Sequence, residues 1–524
     1  MKETAKTRPN RVAPWLLFAA VASAPLPFGS SQLVTVAFWC VVLGACLVFA
    51  PVRSLTGGQL ALAAVAGVVV AAYGLVLHEQ LAVRHWLPGA SPNPIWEQAQ
   101  AVLGVPLVGS ISIARNQPWF ELGRPLVCML ALCCGFLVGT DTGRARQLLN
   151  VIAWSGVVYA AFGVVAHIFD PTHILWRDKD AYLDSVTGTF INRNTAGAYF
   201  GSCALVWSVL LWERVQQKMP RGVLLTWPTI SGLLARPPKA VIVTFTMLFL
   251  CLAAMFMTLS RGAVVPSLLA LVVGFILFFR RHFPRRAALV TALAGGGAIV
   301  FLLLEVMGAG VNARFDSVGL ASGGRLETYK ATLRLIGDHP WFGTGQGTFA
   351  EAFPAYRSAD APIWGVWDVA HNTLLEIAAD MGIPIAALVT VGWAIIFATL
   401  IHGVIVRKRG VIFPVAALMV ALVAVLHSLV DFSLQIPGYS IVALALIGAG
   451  LAQSFRRDPN RSKAPKLVSK PASDAVDQSW ADPQPNLPGI AQFFGLPKMA
   501  TKPLNLDENR VLGPSYTVNS KLGN

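Results

Sequence analysis

The sequence predicts an all-α polytopic membrane protein with about twelve transmembrane helices and a large, partly helical outer loop. Three observations carry that prediction. Apolar residues make up 55% of the 524 and charged residues only 13%, where a soluble domain carries about 25% charge. Mean hydropathy is +0.60, and apolar runs of about 20 residues, the length that crosses the hydrocarbon layer, recur along most of the chain. The dense Lys/Arg clusters also fall on alternate connections between those runs, as the positive-inside rule requires.

Taken in order, the expected spans are 12–28, 31–50, 58–77, 123–140, 150–169, 195–213, 240–259, 262–279, 287–308, 379–404, 411–430 and 437–454. The first follows a basic start (Lys2, Lys6, Arg8, Arg11) and is interrupted by Pro25 and Pro27. It resembles a signal anchor more than a cleaved leader, because another apolar run follows at once. Placing both termini inside puts Arg280-Arg281-His282-Phe283-Pro284-Arg285-Arg286, Arg407-Lys408-Arg409 and Arg456-Arg457 on the cytoplasmic side. The net charge of +15 is therefore mostly topological, with a contribution to contact with anionic lipid. It does not call for nucleic acid, because the basic residues are scattered over short loops without interleaved aromatics.

Between the spans, three outer segments are long enough to hold chemistry: 78–122, 170–194 and 309–378. The first is rich in Trp and Pro, as membrane interfaces are. The third contains Leu326, Tyr329, Leu333 and Ile336 at helical spacing after Gly323-Gly324. That stripe predicts a helix, stopped at Asp338-His339-Pro340 because proline cannot continue it. A second helix is expected over 372–382, so the segment reads as a small folded cap. Residues 1–454 form the transmembrane domain. Residues 455–524 are polar, Pro-rich and basic, and read as a disordered cytoplasmic tail. All seven cysteines lie in expected spans, which rules out an outer disulfide framework.

Charges beside a bilayer are costly and mark function by default. Arg261, in Thr258-Leu259-Ser260-Arg261-Gly262-Ala263, occupies a short outer hairpin where the loop bias disfavours arginine; the bland reading is a side chain reaching to the interface. Arg325 stands at the start of a helix, where the dipole disfavours a cation unless an anion shares the site; a solvated arginine is the alternative. Arg193, in Asn192-Arg193-Asn194, precedes the sixth span and would serve equally as an interfacial anchor. His371-Asn372 opens a helix with Glu376 about one turn on, and a helix N-terminus biases an imidazole toward the neutral form a general base needs. Weaker signals are Gly343-Thr344-Gly345-Gln346-Gly347, which lacks a Walker lysine and reads as a turn, and Asp178, Asp180 and Asp184, which read as solvated acids rather than a metal site. No metal and no cofactor is expected. Arginine forks with a neutral histidine suit a lipid diphosphate, gripping its oxygens bidentately while the imidazole takes a hydroxyl proton.

These residues are similar to the O-antigen ligase family, which includes lipopolysaccharide O-antigen ligases and related polysaccharide polymerases. The resemblance rests on the Ser260-Arg261-Gly262 hairpin, Gly324-Arg325, His339-Pro340-Trp341-Phe342-Gly343-Thr344-Gly345, Ala370-His371-Asn372 with Glu376 and Gly382, and Asn192-Arg193-Asn194. It spans roughly residues 185–450. It implies a twelve-helix transferase of the bacterial inner membrane with its site between the periplasmic cap and the bilayer. The implied donor is a glycan on undecaprenyl diphosphate, and the acceptor is lipid A-core or a second lipid-linked glycan. By the same resemblance Arg261 and Arg325 match diphosphate-binding arginines and His371 matches the histidine at the reaction centre. Arg193 is a looser match, and Asn194, Tyr329 and Asn372 are the expected substrate contacts around them. The long basic tail departs from the compact family pattern. A transporter or permease is the alternative, which predicts charges buried mid-span and broken helices; the chain offers little beyond Glu305 and Asp431. A different lipid-linked glycosyltransferase would want a compact acidic motif, for which Glu79 and Glu97 are a poor substitute.

Overall fold

The computed structural model describes residues 12–50, 55–218, 231–232, 235, 237–282, 296–297, 323–357, 367–407 and 409–455. The chain divides into Met1–Ser462 and Lys463–Asn524, and everything below concerns the first unit. Its helices are α1 Val12–Ser23, α2 Leu33–Val48, α3 Gly57–Leu81, α4 Ile95–Leu103, α5 Gln117–Glu121, α6 Gly123–Gly139, α7 Thr142–Phe169 and α8 Arg193–Lys218. They continue with α9 Lys239–Met257, α10 Arg261–Phe279, α11 Gly323–Asp338, α12 Phe349–Ala352, α13 Thr373–Met381, α14 Ile383–Val406, α15 Ile412–Ser428 and α16 Pro437–Ser454. A two-residue hairpin, β1 His173–Ile174 with β2 Arg177–Asp178, lies between α7 and α8. Lipid offers no partner for backbone N–H and C=O groups, so spanning segments satisfy them internally as helices.

The protein is an all-α polytopic membrane protein. Among the described residues eight helices are long and apolar enough to cross a membrane, and three shorter apolar ones (α1, α2 and α15) stand at expected spans. The span expected at 287–308 lies outside the described residues except for 296–297, as do 309–322 and 358–366 of the large loop. Several boundaries differ from expectation by four residues or more, and two have a plain cause. The first helix stops at Ser23, because Pro25 and Pro27 break it and a short 3-10 turn, Phe28–Ser30, follows. The fifth begins at Thr142 instead of 150, because Asp141 caps it by accepting from Arg144 N at 3.1 Å.

The bundle is organised around α16, which is buried along its whole length. Its tightest partner is α6, where small residues let the backbones touch: a Cβ on Gly135 would stand 2.1 Å from the Ala445 carbonyl oxygen. Such small-residue contacts are how helices associate where water supplies no driving force. Helix α8 is almost as buried and packs on α9, α10 and α15. The two ends of this core therefore receive contributions from the same few helices. One end collects the start of α8, α10 and α16 with the end of α15; the other collects their opposite termini.

Candidate functional site

The centre of the first end is Asp431, in the turn between α15 and α16, only 1% exposed. Three segments far apart in sequence converge on its carboxylate. From the start of α8, Asn194 Nδ2 donates to Asp431 Oδ2. From the turn before α10, Ser260 Oγ donates to Asn194 Oδ1 at 2.8 Å, so the residue preceding Arg261 is tied to the same carboxylate through one amide. From the cap, His371 Nδ1 faces Asp431 Oδ1 at 3.5 Å. That separation is long for a hydrogen bond, and Nδ1 makes none of good geometry; the contact is electrostatic. Burial raises the Asp431 carboxyl, but the nearby His371 and then His427 outweigh it, with Phe432 N donating at 2.8 Å, and the group is held below its ordinary range. His427, in the last turn of α15, is itself 1% exposed and lies within the fields of Asp431 and Arg325.

His371 is held from every side. Its φ is +52°, a left-handed conformation that non-glycine residues adopt only when their surroundings impose it. Tyr329 OH donates to His371 O at 3.1 Å. On the preceding side Ala370 N donates to Glu376 Oε2 at 2.9 Å. On the following side Asn372 is the N-cap of α13, its Oδ1 accepting from Leu374 N and Leu375 N at 3.1 Å each while Nδ2 donates to Leu429 O at 3.1 Å. Trp367 and Phe432 flank the imidazole with ring centroids 5.5 and 5.3 Å away. The buried Glu376 also accepts from Gln435 Nε2 at 2.9 Å. Burial pushes its carboxyl up to about 7, against those two donors.

The structure brings together most of the residues singled out in the sequence. Arg325 lies one turn before Tyr329 on α11, and its charge reaches Tyr329 and His427. Arg261 opens α10, and at the next residue a Cβ on Gly262 would lie 3.7 Å from His427 Nε2. Arg193 takes a different course, with its guanidinium carbon 5.0 Å from the Tyr182 ring centroid. Asn194, Tyr329 and Asn372 all make contacts within the scaffold.

Sequence reasoning passed over two residues. Asp431 was weighed only as a charge near the end of a span, and that lone acid was the available signal. Gln80 gave no signal at all. At the end of α3 it is fully buried, with Nε2 donating to Phe342 O at 2.6 Å and Asp380 O at 2.7 Å and Oε1 accepting from Gln346 N at 3.0 Å. It fastens the glycine turn 343–347, which is a turn as expected. Its three glycines all have positive φ, and a Cβ on Gly343 would meet Asp380 C at 2.3 Å. Asp178 and Asp180 pair with His173 at 2.9 Å and Arg177 at 3.5 Å respectively. Among the described residues no group of three His, Cys, Asp or Glu is arranged to hold a metal ion.

Residues 246–390 match the family model described as O-antigen ligase. This segment of the chain is similar to the O-antigen ligase family. The match agrees with the multi-pass membrane architecture and with a part in membrane glycan processing. The matched segment carries Arg261, Arg325, Tyr329, His371, Asn372 and Glu376. Asn192-Arg193-Asn194 and Asp431 lie outside it, and Asn194 and Asp431 join the cluster around His371 through space. No curated protein matches the chain.

Proposed function

We propose that this chain is a glycan transferase of the bacterial inner membrane, moving a saccharide from undecaprenyl diphosphate to a sugar hydroxyl on the periplasmic face. Both termini are then cytoplasmic, as the Lys/Arg clusters of the loops favour. The observation that supports the reading is the convergence of the 194, 260 and 371 segments on Asp431, with Ser260 next to Arg261 in sequence and Arg325 one turn from Tyr329, which donates to the His371 carbonyl.

In this reading Asp431 faces His371 Nδ1–H and fixes the tautomer, leaving Nε2 to receive the proton of the acceptor hydroxyl. The freed oxygen attacks the anomeric carbon, the bond from that carbon to the diphosphate oxygen breaks, and undecaprenyl diphosphate leaves with the electron pair. Arg261 and Arg325 bind the diphosphate as its charge grows, in a site partly shielded from water. Asn194, Tyr329 and Asn372 act as positioning residues. The chemistry runs on side chains alone, with no metal or cofactor.

The test is transfer by the purified full-length protein from a lipid-linked oligosaccharide, with and without lipid A-core. Glycan appearing on the core identifies a ligase, and lengthened lipid-linked glycan without core identifies a polymerase. Arg261→Lys and Arg325→Lys should each lower the rate by roughly 10-fold or more, since an ammonium cannot replace the two-pronged fork. Absence of product in both arms, or wild-type rates in both lysine variants, would rule the proposal out.

A further inference from the structure

At the opposite end of the bundle the connections after α10 and α14 meet the end of α8 around a cavity of about 250 Å³. Arg280, Arg281, Arg407 and Arg409 line it, with His282 and one carboxylate, Glu213. The carboxylate is already neutralised: Arg146 grips it with both guanidinium nitrogens at 2.6 Å. Among the described residues Arg280, Arg281 and Arg409 face no carboxylate, while Arg407 is engaged with Gln453.

Arg280, Arg281 and Arg407 are tied to backbone carbonyls, although Arg281 stays exposed, as Arg409 does. Arg280 Nη1 donates to Leu277 O at 3.1 Å and Nη2 to Ile405 O at 2.8 Å. Arg281 Nη2 reaches the same Ile405 carbonyl at 3.3 Å, and Arg407 Nε donates to Arg409 O at 3.1 Å. Arg280 Nη2 also donates to Val404 O; a guanidinium has five N–H donors, more than Arg280 and Arg281 use in these contacts. Held like charges repel unless an anion joins them, and planar forks around a small cavity match phosphate oxygens. The flank adds a second indication. Ile401, Ile405 and Val406, on the last turns of α14, are 41, 55 and 54% exposed, an apolar strip beside the cations. A cationic pocket next to an exposed aliphatic strip at a helix end is the layout of an anionic lipid, headgroup in the pocket and acyl chain along the helix.

We propose that this cavity binds the phosphate of an anionic phospholipid, in the cytoplasmic leaflet under the topology above. The site is independent of the transferase reading, since it uses none of those residues.

The experiment takes full-length protein, delipidated in neutral detergent, and follows thermal unfolding on addition of phosphatidylglycerol, phosphatidylcholine or inorganic phosphate. Phosphatidylglycerol should stabilise at concentrations where the other two do not. The exposed pair Arg281→Gln/Arg409→Gln should weaken that response roughly 30-fold, at about fivefold per cation removed. The Arg281→Lys/Arg409→Lys protein keeps both charges but loses the forks, so its response should fall between wild type and the glutamine pair, and it serves as the folding control. Equal stabilisation by phosphatidylcholine, an equal effect of inorganic phosphate, or an undiminished response in the glutamine pair would each overturn the proposal.

Discussion

Each end of the bundle holds a carboxylate, Asp431 buried and Glu213 partly exposed, and they are treated in opposite ways. Glu213 is closed off by a bidentate arginine at 2.6 Å, which leaves four further arginines around a cavity. Asp431 is given neutral amide, backbone and imidazole partners, with its nearest ring 3.5 Å away. A satisfied ion pair is a poor reagent. A carboxylate that leans on an imidazole without consuming it is suited to holding that ring for proton transfer. Chemistry is therefore expected at the Asp431 end and charge-based binding at the Glu213 end.

The sharpest way to break this contrast is at the imidazole. His371→Ala should cost roughly 10²–10⁴-fold in transfer rate, the usual worth of a positioned general base, while the protein still inserts. Glycan transfer by purified variant measures it, and a rate near wild type would return Asp431 to a structural role. Next in size is Asp431→Asn, expected to lower kcat by about 10-fold or more with little change in the donor KM, because the ring loses its orienting charge but the arginines remain. A matched rise in KM would instead place Asp431 in substrate binding.

A third test uses pH. The Glu376 carboxyl is raised to about 7 by burial, so the folded state favours its protonated form. That stability is fully present below the unfolded value near 4.5 and is lost as pH rises through about 7. Each unit of displacement is worth about 1.4 kcal/mol, so the unfolding midpoint should fall as pH rises from about 4.5 to about 7 and level off above that. Glu376→Gln should flatten that fall, since Gln435 can turn its amide to suit. An unchanged slope would mean that another group sets it. The smallest effect expected is from deleting 460–524: transfer should stay within about twofold, because both sites lie in the bundle. A stably inserted truncation without activity would show the tail to be needed.

The fold was legible in the sequence because membrane spans announce themselves one segment at a time, through length and apolarity. Pro25 and Pro27 mark the early break they cause, and Asp141 as a helix cap was readable but missed. The site was legible only in part. Arg261, Arg325 and His371 stood out as polar groups where polar groups are expensive. What joins them, Asn194 to Asp431 and Ser260 to Asn194, links residues 66 to 237 positions apart, and no local pattern encodes such pairings. Gln80 illustrates the same gap, since nothing in a helix of apolar residues distinguishes a glutamine that will bridge three chain segments.

That glutamine also sets where the cap is anchored. Helix α3, which carries it, has only about a tenth of its apolar stretch shielded by protein, so most of its surface is left to lipid. The rivet between the cap and the membrane domain thus stands on the least protein-shielded of the eight described spans. A tilt of that helix pulls first on the carbonyls of Phe342 and Asp380, and through the short α13 on the turn that presents His371.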